Sequence, residues 1–179
     1  EEYDDQIIAG AATSFTARKA CASCLDIIAG NIGTALVPLI YPSLLANIVV
    51  PQQEWKKREA ALLALGAIGQ GTKEEIEKHA HEFMPHVILG IVDLEHEVAK
   101  TACWVTTRFS SWLKNHPKSL DQTITNLLTQ VPNPKVSVAA LSACSSHCES
   151  CGSEMIHHIK NLISSIIVLL PTDDYEQYA

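Results

Sequence analysis

The sequence has few aromatic side chains and a deficit of positive charge. Phe, Trp and Tyr together make up 6% of the 179 residues, whereas hydrophobic residues of all kinds make up 47%. Aliphatic side chains and alanine must therefore form the core, which favours helices packed on helices. The formal net charge of −7 argues against a nucleic-acid partner, which needs clustered Lys and Arg, and suits a basic protein partner better.

The sequence also lacks the motifs of common enzyme classes. It contains no GxSxG nucleophile motif, no phosphate-binding P-loop and no GxGxxG. HEFMPH, at residues 81–86, is similar to the HExxH zinc motif but has one residue too many. His81 and His86 therefore fall on different faces of a helix. We predict no enzyme activity and no cofactor.

A long stretch without charge, residues 27–53, permits a membrane span as one interpretation. Gly30, Gly33, Pro38 and Pro42 interrupt this stretch, however. We interpret it as the end of one buried helix and most of the next, and we expect no insertion into a membrane.

The six cysteines, together with the absence of an N-x-S/T sequon, favour a reduced compartment. Cys144, His147, Cys148 and Cys151 share one helix face, and two of them could bind zinc with help from elsewhere. Four ligands spread over two turns of a helix cannot converge on a tetrahedral ion, so packing between helices is preferred and no metal is predicted. The CASC sequence at 21–24 lies within a helix and not at its N-terminus, where a thiolate would be stabilised, which argues against a redox role.

Internal repeats of about forty residues are the strongest pattern in the sequence. Four segments superpose, at residues 17–30, 57–70, 99–112 and 136–149. In the best register Ser23, Leu63, Trp104 and Ser142 are equivalent. The segments between them show the helical spacing of large aliphatic residues, and none alternates with a period of two. Helix pairs that repeat at this length predict an all-α HEAT-repeat solenoid of antiparallel helix pairs without strands, with an irregular helical bundle as the alternative.

Glycine and proline breaks set the expected organisation of the chain. We expect an acidic, mobile stretch at 1–13, a HEAT array at 14–170 and a tail at 171–179. Within the array we expect a half repeat at 14–32, pairs at 33–71, 72–114 and 117–151, and a half repeat at 153–170. Because the chain begins with Glu-Glu-Tyr-Asp-Asp and not with Met, we interpret it as a piece of a longer protein.

The sequence places two stripes on a helix predicted at 96–113. The core stripe consists of Val98, Ala102, Val105, Phe109 and Trp112. Trp104 and Arg108 lie on a neighbouring stripe, displaced by the ~100° rotation of one residue, together with Thr101 and Ser111. On the concave wall of a solenoid, Trp104 would offer a flat apolar face beneath a planar cation. The alternative is that its ring only packs between adjacent repeats.

Three stretches resemble the transportins, nuclear import receptors of the importin-β superfamily: ARKACASCLDIIAG, EWKKREAALLALGAIGQG and VAKTACWVTTRF. The resemblance covers roughly residues 14–151. It implies a HEAT solenoid that shuttles between cytoplasm and nucleus and whose concave face binds a basic, disordered localisation signal ending in Pro-Tyr. It also implies that the longer receptor binds Ran GTPase and FG nucleoporins, and that EEYDD ends the acidic loop that couples GTP-bound Ran to cargo release.

The resemblance further implies which positions bind cargo. The Pro-Tyr pocket would be formed by Ser23, Asp26, Leu63, Thr101, Trp104 and Arg108. Upstream basic residues would meet Ala139, Ser142, Ser146 and Glu149. Thr101 replaces an isoleucine of the family and, with Ser23, makes the pocket more polar than the family pattern. Glu149 is flanked by Cys148 and Ser150, where the family is richer in acid, so attraction for basic residues is expected to be lower.

An alternative function remains open from the pattern alone. The chain could be a HEAT-repeat protein–protein scaffold from another family, such as a different importin-β relative or a phosphatase-type scaffold subunit. Only the motif resemblance favours the transportins over these.

Overall fold

The computed structural model describes residues 17–49 and 54–169, so the expected acidic stretch at 1–13 and the tail at 171–179 lie outside the described residues. The helices are α1 (Ala17–Ile32), α2 (Val37–Val49), α3 (Trp55–Ile68), α4 (Lys73–Ile76), α5 (Ala80–Gly90), α6 (His96–Arg108), α7 (Ser110–Lys114), α8 (Pro117–Gln130), α9 (Ser137–Cys151) and α10 (Ile159–Leu169). Short 3₁₀ turns occupy Gly33–Leu36, Glu77–His79 and Gly152–His158.

The longer helices form two layers. The A layer contains α2, α5, α8 and α10, and the B layer contains α1, α3, α6 and α9, with contacts between successive helices in each layer. The layers meet where α2 packs on α3, α5 on α6 and α8 on α9. One continuous core runs through all of these helices, as expected for a solenoid whose units bury their apolar faces against their neighbours. The predicted all-α HEAT solenoid is confirmed, and no strand occurs within the described ranges.

Two glycines end helices where a side chain would be strained. Gly33 follows α1 with φ +63°, and Gly152 follows α9 with φ +53°. Both angles lie in the left-handed region that glycine adopts readily, which is why helices commonly end at this residue. These two turns redirect the chain from a B-layer helix to the next A-layer helix.

The apolar stretch Ala17–Val49 is long and apolar enough to cross a membrane when judged by length and composition alone, with a mean hydropathy of 1.7. A single stretch of this kind is weak evidence for a membrane span, because the core helix of a soluble protein passes the same test. In the structure the stretch is not one straight helix. It comprises α1 and α2, which are separated at Gly33 and both pack against α3.

The predicted core stripe of the α6 region is buried, but the helix is interrupted. Val98, Ala102, Val105 and Phe109 are buried, whereas Trp112 is only half-buried. The expectation of one helix over 96–113 is wrong at Phe109, whose φ of −112° and ψ of 23° end α6. The Phe109 side chain is completely buried, and α7 starts at the following residue.

A buried histidine connects α9 to α6 and α7. The Nε2 atom of His147 lies 3.1 Å from Thr106 Oγ1, and its Nδ1 atom lies 3.2 Å from Ser110 Oγ. Each hydroxyl donates its own proton to a backbone carbonyl oxygen, that of Cys103 at 2.7 Å and that of Thr107 at 2.8 Å, so a neutral imidazole can donate to one of the two hydroxyls. Burial lowers the pKa of His147 to about 4 from its ordinary value of 6.5. The connection therefore depends on an uncharged ring.

Acid should weaken this connection. The unfolded chain binds a proton at His147 near pH 6.5 and the folded chain only near pH 4. Between these values the unfolded state holds more protons, so stability is lost as the pH falls, by roughly 3 kcal/mol in total. His147→Gln keeps one donor and one acceptor but cannot titrate. We expect urea unfolding at pH 7 and pH 4 to show an acid loss larger in wild type than in His147→Gln by about that amount. A smaller acid loss of stability in wild type than in His147→Gln would mean that the protonated ring donates hydrogen bonds to both hydroxyls.

Candidate peptide-binding site

Trp104 lies on α6 with its ring against the backbone of α3. A Cβ atom built on Gly66 would come within 2.1 Å of Trp104 Cζ3. Only glycine at this position lets the indole ring reach the neighbouring helix. The ring packs against the core and is also partly exposed. One part of the Trp104 side chain therefore packs between adjacent repeats, and another part is exposed. Each of the two interpretations of this residue in the sequence analysis describes one of these parts.

Arg108 connects three successive helices of the B layer beside that ring. Its guanidinium carbon lies 5.6 Å from the centroid of the Trp104 ring. Its Nε atom donates to the Gly66 carbonyl oxygen of α3 at 3.3 Å, and its Nη2 atom lies 3.6 Å from Asp26 Oδ1 of α1. Because Asp26 is 55% exposed, this ion pair adds little stability. It places a carboxylate of α1 next to the guanidinium that lies over the indole.

Glu59 makes a second connection across the same three helices. It is 2% exposed, and its two carboxylate oxygens accept hydrogen bonds from Arg18 Nη1 at 2.6 Å and Thr101 Oγ1 at 2.8 Å. A buried carboxylate needs such partners to offset its lost hydration.

The sequence-based reasoning missed Glu59 and Arg18. Sequence spacing could have indicated these bonds. Glu59 is 41 positions from Arg18 and 42 positions from Thr101, and both separations match the repeat length.

The predicted Pro-Tyr pocket positions lie on three adjacent helices. On α3, half-buried Leu63 is one turn beyond Glu59 and one turn before Gly66, so it lies between the two connections. Trp104 is likewise one turn from each of the two α6 residues that make those connections. On α1, exposed Ser23 is one turn from Asp26. The structure thus brings to neighbouring B-layer helices Ser23, Asp26, Leu63, Thr101, Trp104 and Arg108.

The four positions predicted to meet basic residues lie on the next B-layer helix. Ala139, Ser142 and Ser146 are half-buried and Glu149 is exposed, all on α9. That helix packs against α6 and is bonded to it through His147. Glu149 is the only acidic residue within α9. The negative potential along this part of the layer is therefore low.

The thiols near α9 are not arranged as a metal site. Burial raises the pKa of Cys103 and Cys144 to about 12 and raises the pKa of Cys148 and Cys151, so all four thiols are protonated at neutral pH. Both ring nitrogens of His147 already face hydroxyl groups. In the part of the chain that the structure describes, no group of three or more His, Cys, Asp or Glu side chains could hold a metal ion.

Comparison with protein-family models gives two matches. A model described as the Transportin-3/Importin-13 third TPR domain matches residues 81–165. A model of the HEAT-like repeat matches residues 55–105. The second match covers α3, α4, α5 and most of α6, and it includes the candidate site residues Leu63, Thr101 and Trp104.

Sequence relatives include transportins from distant organisms. Transportin-1 from Homo sapiens is 29% identical over 154 residues, which cover 84% of this chain and 17% of that protein. Transportin from Dictyostelium discoideum is 31% identical over 134 residues, covering 73% and 14%. Importin subunit beta-2 from Schizosaccharomyces pombe is 26% identical over 158 residues, covering 83% and 17%. The chain spans about a sixth of the length of these relatives.

Solved structures with the same architecture include the karyopherin Kap121p. It superposes with a TM-score of 0.74 at 20% identity, covering 86% of this chain and 16% of that chain. Kap121p bound to the SUMO protease Ulp1p superposes with a TM-score of 0.74 at the same identity, covering 85% and 15%. At this identity the likeness supports the fold alone.

A double-mutant cycle tests whether Gly66 is there for the Trp104 ring. Gly66→Ala should lower the free energy of unfolding by about 1–3 kcal/mol, because the new methyl group displaces the indole. In a Trp104→Ala background the same change should be neutral or stabilising, because alanine has the higher helix propensity by about 1 kcal/mol. Urea unfolding of the four proteins measures the coupling. An equal loss in both backgrounds would show that the ring does not determine the residue at this position.

Proposed function

The chain belongs to the importin-β and transportin family, and from this we propose that its B layer binds a basic, disordered localisation signal that ends in a Pro-Tyr pair. The observation that supports the proposal is the position and partial exposure of the Trp104 ring. Its ring is fixed on the backbone of Gly66, lies below the guanidinium of Arg108 and still keeps part of its surface exposed. A flat, immobile and partly exposed indole is the kind of surface on which a proline ring can pack.

Peptide binding at this site would use a few fixed anchor residues. A disordered segment loses conformational entropy when it binds, so its affinity must come from contacts that are already in place. Trp104 and Leu63 would supply apolar surface, and Asp26 and Arg108 would supply hydrogen-bonding groups for a phenol hydroxyl. The connections through Glu59 hold the helices in place before the ligand arrives. The proposed activity is binding alone and makes or breaks no covalent bond.

Charge would contribute less than the apolar anchors. The chain has a net charge of −7, which favours a basic ligand. Glu149, however, is the only carboxylate on α9. Basic residues of the signal would therefore increase the association rate more than they strengthen the final complex, and added salt would weaken binding only moderately.

The remaining activities of a transport receptor are proposals for the longer protein. The family resemblance implies binding of Ran GTPase, contacts with FG nucleoporins and shuttling between cytoplasm and nucleus for a longer receptor, and this chain spans about a sixth of the length of its relatives. No described residue of this chain is assigned to them. The structure of Kap121p bound to the protease Ulp1p illustrates that a karyopherin of the same fold holds a protein partner.

A second candidate function follows from the match to the Transportin-3/Importin-13 model at residues 81–165. The chain would then act in another importin-β-type receptor whose B layer binds a different kind of cargo. In that case the Trp104 face would contact a protein surface and would not discriminate in favour of Pro-Tyr.

Binding of a labelled peptide tests the proposal. A basic peptide ending in Pro-Tyr should bind the 179-residue chain, as measured by fluorescence anisotropy, and a peptide ending in Ala-Ala should bind at least tenfold more weakly. Trp104→Ala should weaken binding of the Pro-Tyr peptide by roughly tenfold or more, because it removes the central apolar anchor.

Trp112→Ala is the matched control. Trp112 is also half-buried, but it lies on α7, which packs against α8 and α9, and its ring stacks on that of His116 at a centroid distance of 3.9 Å. We expect this variant to bind the peptide as wild type does. If wild type fails to distinguish the two peptides, or if both tryptophan variants lose affinity equally, the Pro-Tyr proposal is wrong and the second candidate function is favoured.

A further inference from the structure

The exposed face of α10 carries an apolar pattern that is buried elsewhere in the array. Three isoleucines on this face, which we call the α10 face, are 37–50% exposed: Ile159, Ile163 and Ile166. The equivalent positions of α8, one repeat earlier, are almost completely buried: Leu120, Ile124 and Leu127. α8 packs against α9 of the B layer, whereas no B-layer helix follows α10 within the described residues. The α10 face therefore lacks the cover that the same pattern has in α8.

Two buried residues of α6 mark the side that a B-layer helix turns toward its A-layer partner. A Cβ atom built on Gly90 of α5 would lie 3.2 Å from the Cβ atom of Ala102. The ring centroid of Phe109 lies 5.1 Å from that of Phe83 of α5. Ala102 and Phe109 are both 0% exposed. The contact with α5 therefore runs along the side of α6 that carries these two residues.

The same side of α1 is open. In the register that aligns the B-layer segments, Cys21 of α1 corresponds to Ala102, and Ile28 corresponds to Phe109. Cys21 is exposed, Ile28 is only half-buried, and exposed Cys24 lies between them. Cysteine packs as a small apolar residue. No A-layer helix precedes α1 within the described residues, so α1 presents an uncovered apolar face, which we call the α1 face.

We propose that the α10 face binds the α1 face of a second copy of this chain, so that the two unpaired helices complete one more helix pair. α10 supplies the A-layer helix of this pair, and α1 of the second copy supplies the B-layer helix. In a longer receptor the same faces would contact neighbouring repeats, and separate copies of this chain offer them to each other. The inference does not rest on the proposed peptide binding.

The residue types of the two faces match those of a pair inside the chain. In the pair of α8 and α9, a helix with large aliphatic residues packs on one whose buried residues include Ala140, Ala143 and Cys144. The α10 face and the α1 face offer the same combination, isoleucines against Cys21 and Cys24. No residue of either face is charged, so the contact would remove apolar surface from water without burying a charge.

The assembly would be open-ended. Each copy contributes two different faces, so the contact is head-to-tail and leaves one face free at each end of the growing chain. Further copies can therefore add, and the average mass should keep rising with concentration. A contact between two identical faces would instead stop at a dimer.

Sedimentation velocity of the 179-residue chain tests the proposal. Reducing agent is present throughout, because exposed cysteines could otherwise link copies through disulfides. The wild-type mass should rise beyond that of a dimer as the concentration increases. Ile163→Lys and Cys24→Lys each place a charge in one face, and each should remain monomeric at concentrations where wild type associates. Both positions are exposed in the single copy, so the fold should be kept.

An equimolar mixture of the two variants is the decisive measurement. Ile163→Lys keeps its α1 face and Cys24→Lys keeps its α10 face, so exactly one intact contact can form. The mixture should give a dimer with one copy of each variant and nothing larger. Leu94→Lys is the matched control, since Leu94 is 94% exposed in the turn between α5 and α6 and belongs to neither face. This control should associate as wild type does.

Four results would overturn the inference. They are a wild-type chain that is monomeric at every concentration, a face variant that associates as wild type does, a mixture that stays monomeric, and a Leu94→Lys control that loses association. If only Ile163→Lys loses association, α10 pairs with a second α10. None of these results bears on peptide binding, so the proposed function is tested separately.

Discussion

The close approach of one indole ring to the backbone of a neighbouring helix determines the geometry of the B layer in this chain. Trp104 can lie against α3 only because Gly66 has no side chain. The ring is thereby fixed in depth, and Arg108, one turn along α6, reaches across it to the Gly66 carbonyl and to Asp26 of α1. A substitution at the glycine would shift the ring, the cation and the contact between three helices together. The partly exposed indole face is a consequence of that packing and not of a loose side chain.

Buried polar bonds between adjacent B-layer helices complement this apolar contact. Glu59 joins α1 to α6 through α3, and His147 joins α6 to α9. Because a polar group buried without its partner is costly, each bond permits only one register between neighbouring helices. Apolar contacts alone would tolerate sliding of one helix along another. The result is a preformed row of side chains on successive helices, which a disordered ligand requires for affinity.

Much of the fold and part of the candidate site could be predicted from the sequence. The repeat length gave the helix pairs, and the two stripes on α6 separated buried Val105 from half-buried Trp104, because helical periodicity depends only on residue spacing. The end of α6 at Phe109 could not be predicted, since Phe109 continues the apolar stripe without glycine or proline. Glu59 was missed because a carboxylate in the run KKRE is typical of a solvated helix start. Only its partners on other helices, Arg18 and Thr101, reveal that it is buried.

The central claim is that the exposed side of Trp104, and not another tryptophan, receives the ligand. The most direct measurement is a titration of the ¹⁵N-labelled chain with the Pro-Tyr peptide, followed through the indole N–H resonances of its three tryptophans. The account predicts that the Trp104 resonance shifts progressively and saturates, while those of Trp55 and Trp112 stay within the small changes caused by dilution. A shift confined to Trp55 or Trp112, or no shift at saturating peptide, would contradict the account.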